Sequence, residues 1–329
     1  MRNSLGQAIE RHSSPMAEKA VMQREHALPP YVLITPARNE EKYIEKLIRS
    51  VTSQTLLPVR WVIVNDGSTD ATASIVSSYL AENEWIELLN LPAHRDRSFA
   101  AKVFAVNAGL ERVRNLDYEI VGNLDSDVSF DPDYFEFLMK KFQEDPDLGV
   151  AGTIFQEGGY SSGKDSFEGQ SHVAGGCQLF RRRCFEHIGG YIPNKAGGID
   201  WIAVTTARMK GWKTRSFREK SFFHYRSLGT AERSLLAAAF SYGEKDYYLG
   251  GHPLWEVFRV AYRMTKKPYL LAGAALFSGY VSAFLRRMER PVSDELMRFH
   301  RNEQLKKLKT ILRSLATFKK VDSFEVKPT

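Results

Sequence analysis

Two carboxylates one residue apart, Asp125 and Asp127, close the apolar run Ile120 to Leu124. On extended backbone alternate side chains share a face, so the pair is expected to point one way. Like charges held together disfavour their own ionisation unless a cation sits between them. Oxygen donors so placed suit a hard divalent ion, and the end of a buried strand suits phosphates carried by that ion. The plain alternative is that strand ends are polar and Asp is common there. A calcium loop is excluded locally. Phe130 stands where the sharp turn needs glycine, Pro132 interrupts the loop, and a strand rather than a helix precedes it.

Other groups carry chemistry of the same kind. Asp66, in Asn65-Asp66-Gly67-Ser68, can accept N–H bonds from the edge of a nucleobase, or belong to an ordinary strand-to-helix turn. Arg38 and Lys102 can hold phosphates or be solvated charges. Asp200 follows Gly197-Gly198 and opens a helix. A carboxylate there stays ionised and can take a proton from a hydroxyl; the alternative is a helix cap. Trp201 can stack on a sugar or be core. His224 and Arg226 flank Tyr225; His224 can complete a metal shell and Arg226 can bind a diphosphate.

These groups need elements to position them. Strand patterns at Tyr31–Thr35, Trp61–Val64, Ile86–Leu89 and Ile120–Leu124 alternate with amphipathic helical patterns. The first helix is expected to be capped by Asn39, with Ile44, Leu47, Ile48 and Val51 on one face. The next is expected to be capped by Thr69 or Asp70. Such alternation predicts an α/β fold around a mostly parallel, Rossmann-like sheet flanked by helices. Ligands of such sheets bind beyond the carboxyl ends of the strands, where Thr35–Arg38, Asn65–Asp70 and Asp125–Asp127 all fall.

Later strands are expected at Gly149–Phe155, Val173–Phe180 and Thr214–Phe217, with Phe222–Arg226 just beyond the last. Past residue 230 only helices are predicted. Leu254, Val257, Phe258 and Ala261 form one apolar face. Tyr269 to Leu285 is nearly uncharged between Lys266-Lys267 and Arg286-Arg287, and can span a membrane, lie in its interface or pack as core. The division is thus a loose tail over 1–29, a catalytic-type domain over 30–228 and a helical extension over 229–329.

The 329 residues can bury a large core, and a net charge of +7 favours anionic partners. Two cysteines, Cys177 and Cys184, exclude a disulfide framework and a zinc site. Residues 1–29 show no apolar secretory stretch, which fits a cytoplasmic protein.

In order and spacing, five motifs resemble the GT-A-fold inverting glycosyltransferases of family 2. They are Thr35-Pro-Ala-Arg-Asn-Glu40, Val64-Asn-Asp-Gly-Ser-Thr-Asp70, Asn107-Ala-Gly109, Asn123-Leu-Asp-Ser-Asp127, and Gly189-Gly-Tyr191 followed by Gly198-Ile-Asp-Trp201. The resemblance implies a nucleotide-diphospho-sugar donor, UDP favoured, lining Pro36, Arg38, Glu40, Asp66, Lys102, Asp125, Ser126 and Arg226. It implies Mg²⁺ or Mn²⁺ on Asp127, Asp125 at the ribose or the metal region, and Asp200 as general base; His224 as a further metal ligand and Trp201 on the acceptor or sugar side are added from their residue types. A glycan or lipid-linked acceptor at the inner face of the cell membrane, beside anionic lipid and without nucleic acid, completes the expectation. Ile199 stands where the family often carries a further carboxylate, and the Gln-x-x-Arg-Trp motif of processive synthases is absent. A non-catalytic nucleotide-sugar-binding module is therefore the alternative. A sugar nucleotidyltransferase fits less well, because Pro36-Ala-Arg-Asn-Glu-Glu41 lacks the glycines of a triphosphate loop.

Overall fold

The computed structural model describes residues 28–94, 99–165, 169–194, 196–226 and 235–317. Most of the expected N-terminal tail, Arg95 to Arg97 of a basic loop, and the C-terminal end lie outside these residues.

The first half alternates as expected: β1 (Tyr31–Ala37), α1 (Ile44–Thr52), β2 (Arg60–Asn65), α2 (Thr72–Leu80), β3 (Ile86–Asn90), α3 (Phe99–Val113) and β4 (Ile120–Leu124). Then come β5 (Val128–Ser129), α4 (Tyr134–Glu144), β6 (Leu148–Glu157), β7 (Tyr160–Ser161), α5 (Ser162–Asp165), β8 (Cys177–Arg181), α6 (Arg182–His187), α7 (Ile199–Met209) and β9 (Lys213–His224). One sheet runs β3-β2-β1-β4-β8-β6-β9-β5, with β7 on β6. The strands β3, β2, β1 and β4 are parallel; β8 runs against both β4 and β6, and β5 against β9. The mostly parallel expectation thus describes one half, and the other half is mixed.

Side-chain alternation builds two layers on this sheet. Tyr31, Leu33, Trp61 and Ile63 face α1, α2 and α4 through Ile44, Leu47, Val76, Phe135 and Leu138. Val32, Ile34, Val62 and Val64 face α3 and α7 through Val103, Val106, Ala203 and Val204. Each fully buried aliphatic or aromatic side chain contributes about 1.5–3 kcal/mol.

Several local expectations need correction. Asn39 does not cap α1: its φ is 57° and the helix starts at Ile44. Its Oδ1 instead accepts the Thr69 N–H at 2.8 Å, tying the loop after β1 to the loop after β2. The cap of α2 is Ala71 rather than Thr69 or Asp70; Asp70, one residue earlier, accepts the Thr72 N–H through Oδ1 at 3.0 Å. Asp125 to Asp127 form a turn between β4 and β5, so strand alternation does not set their directions. β8 starts only at Cys177, after Gly175-Gly176. Thr214–Phe217 and Phe222–His224 belong to one strand, interrupted where Thr153 pairs with Phe217 but Ile154 pairs with Ser221.

The C-terminal helices are α8 (Leu235–Tyr248), α9 (Pro253–Met264), α10 (Leu271–Leu285) and α11 (Asp294–Ala316). Glycine lets α10 lie directly on α8. A Cβ on Gly243 would stand 1.9 Å from the Leu276 carbonyl oxygen, and one on Gly279 2.0 Å from that of Phe240. The face of α9 read as apolar is turned outward: Leu254 and Val257 are each 59% exposed, and Trp255 and Val260 are buried instead. Arg208 of α7 donates to both carboxylate oxygens of Glu303 on α11, at 2.9 and 3.0 Å. Trp201, Ile202, Tyr248, Leu249 and Leu296 form an apolar cluster linking these helices to α7.

Candidate active site

The ends of β2, β1 and β4 lie side by side, so the loops that follow them meet in one cleft. Its volume is about 260 Å³, and Pro36, Arg38, Glu40, Asp66, Lys102, Asp125, Ser126, Asp127 and Arg226 are on its walls. All eight residues expected on the donor side are therefore brought together, with Asp127 among them.

At one end Asp66 is buried and its Oδ1 lies 2.7 Å from His94 Nε2. Arg38 packs behind the pair, its guanidinium 4.0 Å from Asp66 and donating to the His94 carbonyl. His94 carries no motif of its own; it opens the basic stretch His94-Arg95-Asp96-Arg97.

In the middle, Lys102 of α3 forms an ion pair with Asp125, and Asp200 and Asp127 also favour its charged form. The Asp125 N–H donates to the Gly176 carbonyl at 3.0 Å, which anchors the carboxylate turn to the start of β8.

At the other end, pairing of β5 with β9 sets Val128 opposite His224. His224 Nε2 then lies 3.5 Å from Asp127 Oδ1, and His224 Nδ1 3.6 Å from Glu157 Oε2. Arg226 donates to Glu40 at 2.7 Å and reaches Asp127 at 3.7 Å. Burial raises the Glu40 carboxyl to about 7, against the opposing pull of Arg226. Asp127 is raised by burial and then by Asp125, while His224 and Arg226 pull it back.

Donor atoms of Asp125, Asp127 and His224 lie within 4.8 Å of one another. His224 Nδ1 is buried without a hydrogen-bond partner. Two carboxylates and an imidazole are a donor set that Mn²⁺ accepts, so these residues fit a divalent ion.

Asp200 stands apart from the cleft walls, as the second residue of α7 after Gly198 at φ 78°. It is therefore not the cap of that helix. Gly175 passes so close that a Cβ there would stand 2.8 Å from Asp200 Oδ2. Burial alone would raise this carboxyl, yet Lys245, His172, the helix N–H of Trp201 and Lys102 together hold it below its ordinary value. Neither His172 nor Lys245 was singled out by sequence.

Trp201 needs correction as a sugar platform. It is 6% exposed and meets the His300 ring edge-on, with ring centres 4.5 Å apart. A ring so enclosed offers no face to a ligand; it is packing between α7 and the C-terminal helices.

The profile of "Glycosyl transferase family 2" matches residues 32–165. Residues 32–165 thus carry the family 2 glycosyltransferase signature. The chain has curated relatives among polysaccharide synthases. The chondroitin synthase of Pasteurella multocida is 29% identical over 123 residues, 37% of this chain and 12% of that protein. The poly-β-1,6-N-acetyl-D-glucosamine synthase of Staphylococcus epidermidis is 29% identical over 112 residues, 34% of this chain and 25% of that protein. The match thus spans a quarter or less of these two relatives. Among solved structures, a mannosyltransferase from Pyrobaculum calidifontis in complex with GDP-Man and Mn²⁺ superposes with a TM-score of 0.56 at 17% identity. It covers 80% of this chain and 89% of that one. The GT-A expectation therefore holds for this family 2 chain.

Proposed function

We propose that the chain transfers a sugar from a nucleotide-diphospho-sugar to an acceptor hydroxyl, with inversion at the anomeric carbon. The observation that carries this reading is the single cleft in which Asp66, Lys102, Asp125, Asp127 and Arg226 converge at three strand ends, with Asp200 beside it. Asp66, steadied by His94 and Arg38, receives the base. Uracil, with its N–H donor, is the favoured base. Arg38, Lys102 and Arg226 face the diphosphate.

Asp127 and His224, with Asp125 between ribose and ion, would hold Mg²⁺ or Mn²⁺. Once bound, that ion neutralises charge on the departing diphosphate. Asp200 removes the acceptor proton, the acceptor oxygen bonds to the anomeric carbon, and the bond from that carbon to the diphosphate oxygen breaks. A carboxyl held below its ordinary value is ionised at neutral pH and ready to accept that proton. Solved-structure support comes from the mannosyltransferase, whose complex contains a nucleotide sugar and Mn²⁺.

We infer further that the acceptor belongs to cell-surface polysaccharide or glycolipid synthesis at the inner face of the membrane. No helix among the described residues is long and apolar enough to cross a membrane. Yet Leu271, Phe277, Phe284 and Leu285 of α10 are 58%, 48%, 59% and 72% exposed, with Lys267 and Arg287 exposed at the helix ends. An apolar stripe with basic ends suits an anionic lipid surface.

The test is nucleoside diphosphate release from a panel of UDP-, GDP- and dTDP-sugars, with and without Mn²⁺, using the wild type, Asp127→Ala and Asp200→Ala. Mn²⁺-dependent release lost in both variants is expected. Turnover untouched by either substitution refutes the catalytic assignments, and nucleotide binding with no turnover in the wild type leaves the non-catalytic binding module as the correct reading.

A further inference from the structure

The general base is served by an element well beyond the stretch that carries the family motifs. Lys245, Tyr248 and Leu249 occupy positions i, i+3 and i+4 of α8 and so share one helix face. That face lies over the turn that presents Asp200. Tyr248 donates its hydroxyl to the Ala196 carbonyl at 2.8 Å. A Cβ on Gly198 would stand 3.1 Å from Leu249 and 3.6 Å from Lys245 Cε. The lysine is thus carried to the N-terminus of α7 by a packed, hydrogen-bonded contact.

The charges around Asp200 come from four elements. Lys102 of α3 is already paired with Asp125. His172, before β8, is a weaker influence on Asp200 than Lys245. Tyr191 and Tyr248 are phenols whose ionisation is opposed first by burial and then by Asp200. Lys245 pairs at 4.0 Å or less with no carboxylate of the described residues, Asp200 included, but it lies over the Gly198 turn that presents Asp200 and is the strongest cationic influence on it.

We propose that Lys245 is the counter-charge of Asp200, and that the C-terminal helices thereby complete the acceptor side of the site. The inference rests on Asp200 acting as the base. Lys245 does not touch the reacting atoms; it is a positioning residue that acts through the carboxylate. An opposite charge within reach lowers a carboxyl by about 1–3 pH units, so its loss should raise the Asp200 midpoint by about 1. The acid limb of turnover should rise with it.

The experiment follows the side-chain carboxyl carbon of Asp200 by ¹³C NMR in the full-length protein, its resonance assigned by disappearance in Asp200→Asn. Lys245→Met and Lys245→Gln should each raise the midpoint by about one unit, while Lys245→Arg keeps it low. The pH profile of diphosphate release should shift in parallel, and Mn²⁺-dependent UDP or GDP binding should not change. A midpoint unmoved in both neutral variants, at wild-type circular dichroism, overturns the proposal. Wild-type turnover by Asp200→Asn overturns instead the base assignment beneath it, so the two failures are told apart.

Discussion

Gly175→Ala is a sharp probe of the site because the three atoms nearest the added Cβ all belong to the candidate base. The φ of Gly175 is not in the left-handed region, so the backbone accepts alanine. The added Cβ would stand 2.8 Å from Asp200 Oδ2, 3.0 Å from its Cβ and 3.1 Å from its Cγ. Carbon atoms rest at about 3.5–4.0 Å, so the carboxylate has to retreat by about half an ångström or more. The backbone cannot absorb this easily, because α7 is fixed by the Gly198 turn and by the contacts of Tyr248 and Leu249 on it. The stability cost should be at the low end of overpacking, about 1 kcal/mol, since the atom displaced most is the tip of a side chain. The catalytic cost is larger, because a misplacement of about 1 Å at a reacting group can lower the rate about 100-fold. We expect kcat to fall about 10- to 100-fold, with nucleotide affinity unchanged because Gly175 is not on the cleft wall. Steady-state diphosphate release, Mn²⁺-dependent nucleotide binding and thermal melting measure the three quantities. A melting point near wild type together with unaltered kcat would refute the placement of Asp200 in the reaction.

Other outcomes follow from the same geometry. His224→Ala and Asp127→Asn should each weaken Mn²⁺ binding at least tenfold by electron paramagnetic resonance, since single ligand-shell changes commonly cost about 10- to 100-fold; retained affinity in both would move the ion elsewhere. Glu256, buried and beside Asp246, is raised to about 8. The folded state therefore holds its proton while the unfolded state has lost it, and stability falls as pH rises from the carboxylate range through about 8. Glu256→Gln should flatten that fall in melting curves between pH 6 and about 9, and parallel curves would exclude a role for this carboxyl. Phe277→Glu with Phe284→Glu should abolish co-sedimentation with vesicles containing phosphatidylserine; undiminished binding would remove α10 from the contact.

Much of the donor half was legible because it follows simple rules. Parallel strands separated by helices put their carboxyl ends on one side, so polar clusters after β1, β2 and β4 had to meet. What escaped the sequence depends on distant packing. Asn39 looks like a cap, yet its side chain is claimed by Thr69, thirty residues on. Leu254 and Val257 have helical spacing suited to a core, but spacing says nothing of which side a neighbour covers, and the buried face runs through Trp255 and Val260. Trp201, adjacent to the base, was read for its chemistry and is used for packing. His94 and Lys245 carry no motif at all. Each acts only because a loop or a helix delivers it to a carboxylate that sequence reasoning had already found.

The turn Asp125–Asp127 is anchored through the Asp125 N–H to Gly176, whose neighbour Gly175 abuts Asp200. Two contacts joined by one peptide bond therefore connect the carboxylate proposed for the ribose and ion to the one proposed for the acceptor. Beyond that seam the chain divides its tasks by position. Donor groups from Arg38 to Asp127 fall inside the matched stretch, whereas Asp200 and Lys245 come after it. On the proposed reading, substitutions around Asp200 and Lys245 should retune which hydroxyl is accepted, whereas His224 and Arg226, which also follow residue 165, belong to the donor side; Gly175 and Gly176 are the hinge pin between the two.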